Sequence, residues 1–80
     1  MYSVYILRSI KDDSYYIGYS SDFKNRLLAH NVGKVISTRR KAPFVVIHLE
    51  SYATRGEAMK RESMIKSYKG GNAFKELVRE

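Results

Sequence analysis

The sequence predicts an α+β fold in which a small, mainly antiparallel three-stranded sheet is flanked by helices, in the order β-β-α-β-α-α. Apolar and aromatic residues alternate near the amino terminus, a β-branched run follows the single proline, and the last third carries capping signals and helical periodicity. A chain of 80 residues that is 44% hydrophobic is long enough for one compact core. We therefore expect a single domain over residues 1–80.

A hairpin is predicted at the start of the chain. Residues 2–9 have the period-two pattern of a strand, since Val4 and Ile6 fall on one face and Tyr5 falls on the other. The Lys-Asp-Asp-Ser segment that follows favours a turn, and the strand pattern resumes over residues 15–19.

A helix is expected after this hairpin, with Ser20 or Ser21 as its N-cap and Asp22 in its first turn. Gly33 is expected to end it. The apolar stripe of this helix consists of Phe23, Leu27 and Leu28.

Residues 44–52 are rich in β-branched side chains and predict a third strand, buried on both faces at its start. We interpret His48 as a polar group at the strand edge rather than as a ligand. Thr54 and Glu57 have the spacing of a capping box, which predicts a long helix that ends before a Gly-Gly pair. Asn72 is expected to cap a short last helix.

The charge of the chain indicates a polyanionic partner. Fifteen Lys and Arg residues against eight Asp and Glu give a formal net charge of +7, which in so small a domain favours nucleic acid over a merely soluble basic surface. The charge leaves DNA and RNA as open alternatives. Arg39, Arg40 and Lys41 are consecutive within the loop 34–43, which we interpret as a phosphate-contacting loop rather than a solvated connector.

The sequence predicts neither a membrane span nor an export signal, because no apolar run is long enough and no basic-then-apolar leader follows Met1. The chain has no cysteine, which excludes disulfides and thiolate metal sites. We therefore expect a soluble, cytoplasmic protein that makes no membrane contact.

Glu62 occupies an unusual position on the long predicted helix. Ala58 and Ile65 share one helix face, and Glu62 lies between them on that face. Because burying an unpartnered carboxylate is costly, Glu62 must meet a cation, a set of hydrogen-bond donors or a metal ion. A structural salt bridge, for instance to Arg26, and a site for one divalent ion are equally compatible with this pattern.

Several polar residues are expected to face inward and form a site: Tyr5, Tyr16, Arg26, His30 and Glu62. Gly18, within the second strand, offers a place where another group can approach the backbone closely. The sequence has no carboxylate cluster for two metals, no Ser–His–Asp pattern and no phosphate-cradling glycine loop. Phenols, a guanidinium, an imidazole and one carboxylate beside a basic surface are compatible with phosphodiester hydrolysis that uses a single metal.

These residues, in this order, resemble the GIY-YIG nuclease family. Ser3–Tyr5 and Tyr16–Gly18 stand at its two namesake motifs, Arg26 at its helix arginine, His30 at its variable Tyr-or-His position and Glu62 at its single metal-binding glutamate. The resemblance covers nearly the whole chain. It is strongest to the small stand-alone bacterial members, and it extends to the N-terminal catalytic domain of excision-repair nucleases.

The resemblance implies a role for each residue. Glu62 would ligate one Mg²⁺ or Mn²⁺ ion. Tyr16 would activate the attacking water, which requires nearby positive charge because a free phenol titrates at about pH 10. Arg26 would clamp a phosphate oxygen, Tyr5 would position water or phosphate, and His30 would assist proton transfer.

The chain departs from the family pattern at Ser3, which replaces a glycine, and at Tyr19, where excision-repair relatives often carry lysine. Asn72 is the candidate for an asparagine that many members use. Our first hypothesis is a metal-dependent DNA endonuclease, of low sequence specificity or selective for DNA structure, acting in repair or recombination. The alternative is a nucleic-acid-binding module that keeps the fold with little or no activity and works with a protein partner, because the chain shows no second domain to select a target.

Overall fold

The computed structural model describes residues 1–79. It contains the strands β1 (Tyr2–Ser9), β2 (Tyr15–Ser20) and β3 (Phe44–Tyr52), and the helices α1 (Phe23–Asn31), α2 (Arg55–Ser67) and α3 (Asn72–Leu77). A single 3-10 turn, Arg39–Lys41, lies between α1 and β3. The predicted fold class and order of elements are confirmed.

Strand β1 is the centre of the sheet, whose order is β2-β1-β3, and it pairs antiparallel with both neighbours. As predicted, its alternate residues face opposite sides: Val4 and Ile6 pack in one cluster and Tyr5 and Leu7 in another. All four side chains are buried, so β1 is the element on which both sides of the molecule are built.

Two hydrophobic clusters hold the helices on the sheet. The cluster beneath α2 and α3 consists of Val4, Ile6, Ala58, Ile65 and Phe74. The cluster beneath α1 consists of Tyr5, Leu7 and Phe44, with Tyr16, Phe23, Leu27 and Ala42 packed against them. Burying a side chain of this kind contributes about 1.5–3 kcal/mol. The two tyrosines of the predicted site therefore belong to the packing that holds α1 in place.

The prediction that β3 starts with both faces buried is wrong. Within residues 1–79, β3 pairs with β1 alone and forms an edge of the sheet. Its residue Val46 is 37% exposed and Leu49 is 48% exposed. An edge strand with one incompletely covered face leaves such apolar side chains in contact with solvent.

Two of the predicted helix caps are also wrong. Asp22, rather than Ser20 or Ser21, is the N-cap of α1, because its side chain accepts a hydrogen bond from the Asn25 amide. Ser20 acts one step earlier, since its hydroxyl accepts the Asp22 amide at 3.0 Å.

Asn72 does not cap α3. It is the first helical residue, and Gly71 takes the cap position without a side-chain hydrogen bond. The capping box of Thr54 and Glu57 at the start of α2 is confirmed. None of the helices within residues 1–79 has both the length and the apolar character that crossing a membrane requires.

Candidate active site

Tyr5 of β1 and Tyr16 of β2 form the centre of the candidate site. Their register places Tyr5 opposite Gly18 and Leu7 opposite Tyr16, so the two tyrosines are diagonal neighbours on one face of the hairpin. Their rings are stacked, with centroids 6.5 Å apart and an interplanar angle of 29°. The antiparallel pairing alone therefore brings two phenols to the same point.

Gly18 makes room for this arrangement. A Cβ atom built on Gly18 would lie 2.6 Å from the Tyr5 hydroxyl oxygen and 2.8 Å from the Tyr5 Cζ atom, both closer than side-chain atoms tolerate. The group that approaches the backbone here is the phenol of Tyr5, as a glycine in a strand interior often permits. The predicted contact of Gly18 with substrate stays a prediction.

Helix α1 supplies Arg26 to the two phenols. Its guanidinium interacts with the Tyr5 hydroxyl and, more weakly, with the Tyr16 hydroxyl, and the interaction with Tyr5 is the main reason why the pKa of Arg26 is raised. Burial raises the pKa of the Tyr5 phenol above its usual value, although the hydrogen bond from Arg26 opposes this effect. Tyr5 is therefore a protonated phenol at neutral pH and can act as a hydrogen-bond donor.

His30 lies one helical turn after Arg26 and is fully buried. Its ring centroid is 4.7 Å from that of Tyr16 and 6.2 Å from that of Tyr5. Burial, and secondarily the positive charge of Arg26, lowers the pKa of His30, so the imidazole is neutral at pH 7. Its Nδ1 atom lies 2.8 Å from the hydroxyl oxygen of Thr38. Its Nε2 atom is buried and meets no hydrogen-bond partner among the described residues.

Glu62 approaches from α2, between the buried residues Ala58 and Ile65. Its side chain is 19% exposed, and its ion-pair partner in residues 1–79 is Lys66, with Nζ 3.6 Å from Oε1. Arg26, the partner that the structural alternative named, contacts the tyrosines instead. The charge of Glu62 acts on the Tyr5 phenol and contributes to its raised pKa.

A single metal ion is compatible with these side chains. The part of the chain that the structure describes holds no group of three or more potential ligands among His, Asp and Glu. The Glu62 carboxylate has one lysine contact at 3.6 Å, which leaves oxygen lone pairs available. Mg²⁺ is commonly held by one or two carboxylates, with water and substrate phosphates completing its shell, and Glu62 is suited to such a site.

Apart from Gly18 on β2, the predicted substrate-binding residues lie on two separate elements. Arg39, Arg40 and Lys41 form the exposed 3-10 turn, which is tied to the hairpin because the Ser9 hydroxyl donates to the Lys41 carbonyl at 2.6 Å. Asn72 is exposed at the start of α3.

Sequence reasoning did not identify Lys66 or Thr38. Lys66 stands four residues after Glu62, a spacing that brings opposite charges together on a helix surface and could have revealed this pair. Thr38 is 3% exposed and lies in the basic segment, where nothing in the local pattern distinguishes a buried hydroxyl from a solvated one. Only its contact with His30 identifies it.

Comparison with known proteins assigns this arrangement to a class. The model of the GIY-YIG catalytic domain matches residues 1–75, and the chain belongs to the GIY-YIG family. Membership of this nuclease family supports a nuclease-type function and favours DNA binding.

Within that family the chain is similar to proteins named UPF0213. It is 40% identical over 67 residues to one from Streptococcus pneumoniae serotype 4, which covers 82% of this chain and 67% of that protein. It is 38% identical over 66 residues to UPF0213 protein SH2523 of Staphylococcus haemolyticus, and the match covers 81% of this chain and 79% of that protein. The solution NMR structure of UPF0213 protein BH0048 from Bacillus halodurans matches with a TM-score of 0.50 and 34% identity, and the match covers 91% of this chain and 90% of that one.

Proposed function

We propose that this protein is a divalent-metal-dependent DNA endonuclease that hydrolyses phosphodiester bonds. The observation that supports this most directly is the cluster of Tyr5, Tyr16 and Arg26, together with the Glu62 carboxylate, whose charge acts on the Tyr5 phenol and which has one lysine as its ion-pair partner. This site lies in a chain with a net charge of +7, which attracts a polyanion.

In this proposal each side chain acts on one part of the phosphodiester. Arg26 places its guanidinium on a phosphate oxygen and stabilises the charge that develops there. Tyr5, which stays protonated, donates a hydrogen bond to phosphate or water. Tyr16 takes a proton from the attacking water, and His30 assists that proton transfer in its neutral form.

Glu62 is the residue that would hold Mg²⁺ or Mn²⁺ in this proposal. When bound, such an ion neutralises charge on the scissile phosphate and on the leaving oxygen. Arg39, Arg40 and Lys41 would contact the DNA backbone from their exposed turn, and Asn72 is a further candidate contact. Backbone contacts of this kind carry no sequence information, so we propose low sequence specificity or recognition of DNA structure, in repair or recombination.

A second candidate is a nucleic-acid-binding module with little or no catalytic activity. The ion pair between Lys66 and Glu62 favours it, because a lysine beside the carboxylate competes with a metal ion. In that case the basic turn would bind the backbone, with RNA as an alternative polymer, and a protein partner would supply specificity.

The test is nicking of supercoiled plasmid and of branched DNA with Mg²⁺, with Mn²⁺ and with a chelator. The wild type is compared with Glu62→Ala, Tyr16→Phe and a control on α3, Glu76→Ala, whose carboxylate is 74% exposed and pairs with Arg79. We expect metal-dependent cutting by the wild type and the control and none by the other two. Cutting that survives Glu62→Ala contradicts the proposal, and salt-sensitive binding without cutting supports the second candidate.

A further inference from the structure

Thr38 is a buried hydroxyl that the proposed reaction does not use. It lies between α1 and β3 and is only 3% exposed. Its Oγ1 atom is 2.8 Å from His30 Nδ1 and 3.4 Å from the carbonyl oxygen of Val35. A buried hydroxyl beside an imidazole affects which ring nitrogen carries the proton, because a hydroxyl has one hydrogen to donate.

Two arrangements of hydrogen are possible at this contact. If the Thr38 hydroxyl donates to Nδ1, the Val35 contact is not made and His30 carries its proton on Nε2. If instead Nδ1–H donates to Thr38, the hydroxyl hydrogen is available for the Val35 carbonyl, and both contacts are satisfied. The second arrangement makes one more hydrogen bond in a buried setting, so it is the more stable one.

This arrangement leaves Nε2 without a proton. That atom is buried without a hydrogen-bond partner in residues 1–79. The rings that contact the His30 imidazole are those of Tyr5, Tyr16 and Phe44, with centroids 6.2, 4.7 and 5.9 Å away. Two of these three neighbours are phenols of the candidate site. The unprotonated Nε2 therefore belongs to a ring that packs against both phenols, with neither hydroxyl at hydrogen-bond distance from it.

We propose that Thr38 is a positioning residue that holds His30 in its Nδ1–H tautomer and so presents Nε2 to the tyrosine pair as a proton acceptor. The tautomer itself is independent of catalysis, and its effect on the reaction rests on the proposed function. The titratable and charged groups near this imidazole are Tyr5 of β1, Tyr16 of β2 and Arg26 of α1. The lowered pKa of His30 is compatible with the neutral ring that this role requires.

Thr38 also connects the imidazole to the basic turn. Its carbonyl oxygen accepts the amide of Lys41 at 2.9 Å, so Thr38 begins the turn Arg39–Lys41. The turn is held from its other end by Ser9. The same residue therefore fixes the orientation of His30 and the place where phosphates are proposed to bind.

Nitrogen-15 NMR of the histidine side chains tests this proposal without any need for activity. His48→Gln assigns the two histidines, and the wild type is compared with Thr38→Val and Thr38→Ser. We expect a protonated Nδ1 and an unprotonated Nε2 for His30 in the wild type and in Thr38→Ser, and a mixture of tautomers in Thr38→Val. A protonated Nε2 in the neutral wild type overturns the proposal, as does an unchanged tautomer in a folded Thr38→Val. If Thr38→Val does not fold, the wild type and Thr38→Ser still decide the question.

The pH profile of DNA nicking gives a second readout. We expect Thr38→Val to lower kcat on the order of tenfold with little change in KM and to shift the acid limb of the profile, whereas Thr38→Ser resembles the wild type. If Thr38→Val raises KM and leaves kcat and the pH profile unchanged, Thr38 does not act on the reaction through His30. If the wild type does not cut DNA, the proposed function fails while the NMR result on the tautomer stands.

Discussion

Glu50 and Glu62 have nearly equal side-chain exposure, 18% and 19%, yet they are surrounded in opposite ways. Glu50 of β3 receives Arg61 Nε at 2.8 Å and Nη2 at 3.0 Å. The Tyr52 hydroxyl donates to it at 2.6 Å, and His48 Nε2 lies 2.6 Å from its other oxygen. Glu62 has a single lysine contact at 3.6 Å.

The surroundings of Glu50 also lower its pKa. The hydrogen bonds from Arg61, and then those of His48 and Tyr52, lower the pKa of Glu50 to about 2, although partial burial opposes them. A carboxylate whose lone pairs are all engaged holds elements together, here α2 on β3. A carboxylate of equal exposure with lone pairs to spare is available to a ligand. Exposure alone therefore does not separate an acid engaged by protein donors from one that is free to bind a ligand, and the count of donors does.

The largest expected effect is on catalysis and concerns Glu62. Glu62→Gln should reduce metal-dependent nicking by on the order of 100-fold or more, because the amide cannot neutralise and hold a divalent ion as the carboxylate does. Its free energy of unfolding should change by less than about 0.5 kcal/mol, since the ion pair that it loses is with an exposed lysine. Nicking rates and urea denaturation of the same samples measure both quantities.

The opposite pattern is expected for Glu50. Glu50→Gln should lower the free energy of unfolding by about 2 kcal/mol, because it removes the negative charge that pairs with the largely buried guanidinium of Arg61. Nicking should fall much less than in Glu62→Gln. If the two variants lose activity and stability in the same proportion, the distinction between the two carboxylates does not hold.

The pH dependence of stability sharpens this distinction. The pKa of Glu50 is about 2 in the folded protein and 4.5 as its ordinary value, so the unfolded chain binds a proton that the folded one does not within this window. The contribution of Glu50 is complete above pH 4.5 and is lost as the pH falls towards 2. We expect a loss of about 1–2 kcal/mol after allowance for solvent screening. Denaturation curves across this pH range should show a smaller loss of stability in Glu50→Gln than in the wild type. Equal losses in the two proteins would show that Glu50 is not the group responsible.

The smallest expected effect comes from Lys66. Lys66→Gln removes the cation that competes for Glu62, and we expect half-maximal nicking at a metal concentration roughly two- to fivefold lower. Lys60→Gln, an exposed change of equal charge on α2, is the matched control and should leave this concentration nearly unchanged. An equal shift in both variants would show that net charge, and not the ion pair, is responsible.

The sequence predicted the parts of the site that follow from periodicity. Alternation along β1 placed Tyr5 and Val4 on opposite faces, and helical spacing placed Glu62 beside Ala58 and Ile65, as the structure has them. These predictions succeed because each needs only the local conformation of one element.

Features that depend on tertiary placement could not be predicted in this way. A β-branched run has the same appearance in a central and an edge strand, so the exposure of Val46 was missed. The pairing of Glu50 with Arg61 joins two elements, and the contact of Thr38 with His30 crosses a loop, so no local pattern reveals either. Gly18 was singled out as a close approach, but the approaching group, Tyr5, is known only from the register of the hairpin.

The position of β1 has a consequence for how this protein can evolve. Val4 and Ile6 of this eight-residue strand belong to one hydrophobic core. Tyr5, which lies between them in sequence, points to the other face and belongs to the candidate site. A single residue inserted or deleted within this strand exchanges its two faces, so Tyr5 would enter the apolar core and an aliphatic side chain would enter the site. The alternation of side chains along β1 therefore determines both the packing of the core and the position of Tyr5. A change in the length of β1 would therefore alter the core and the candidate site together.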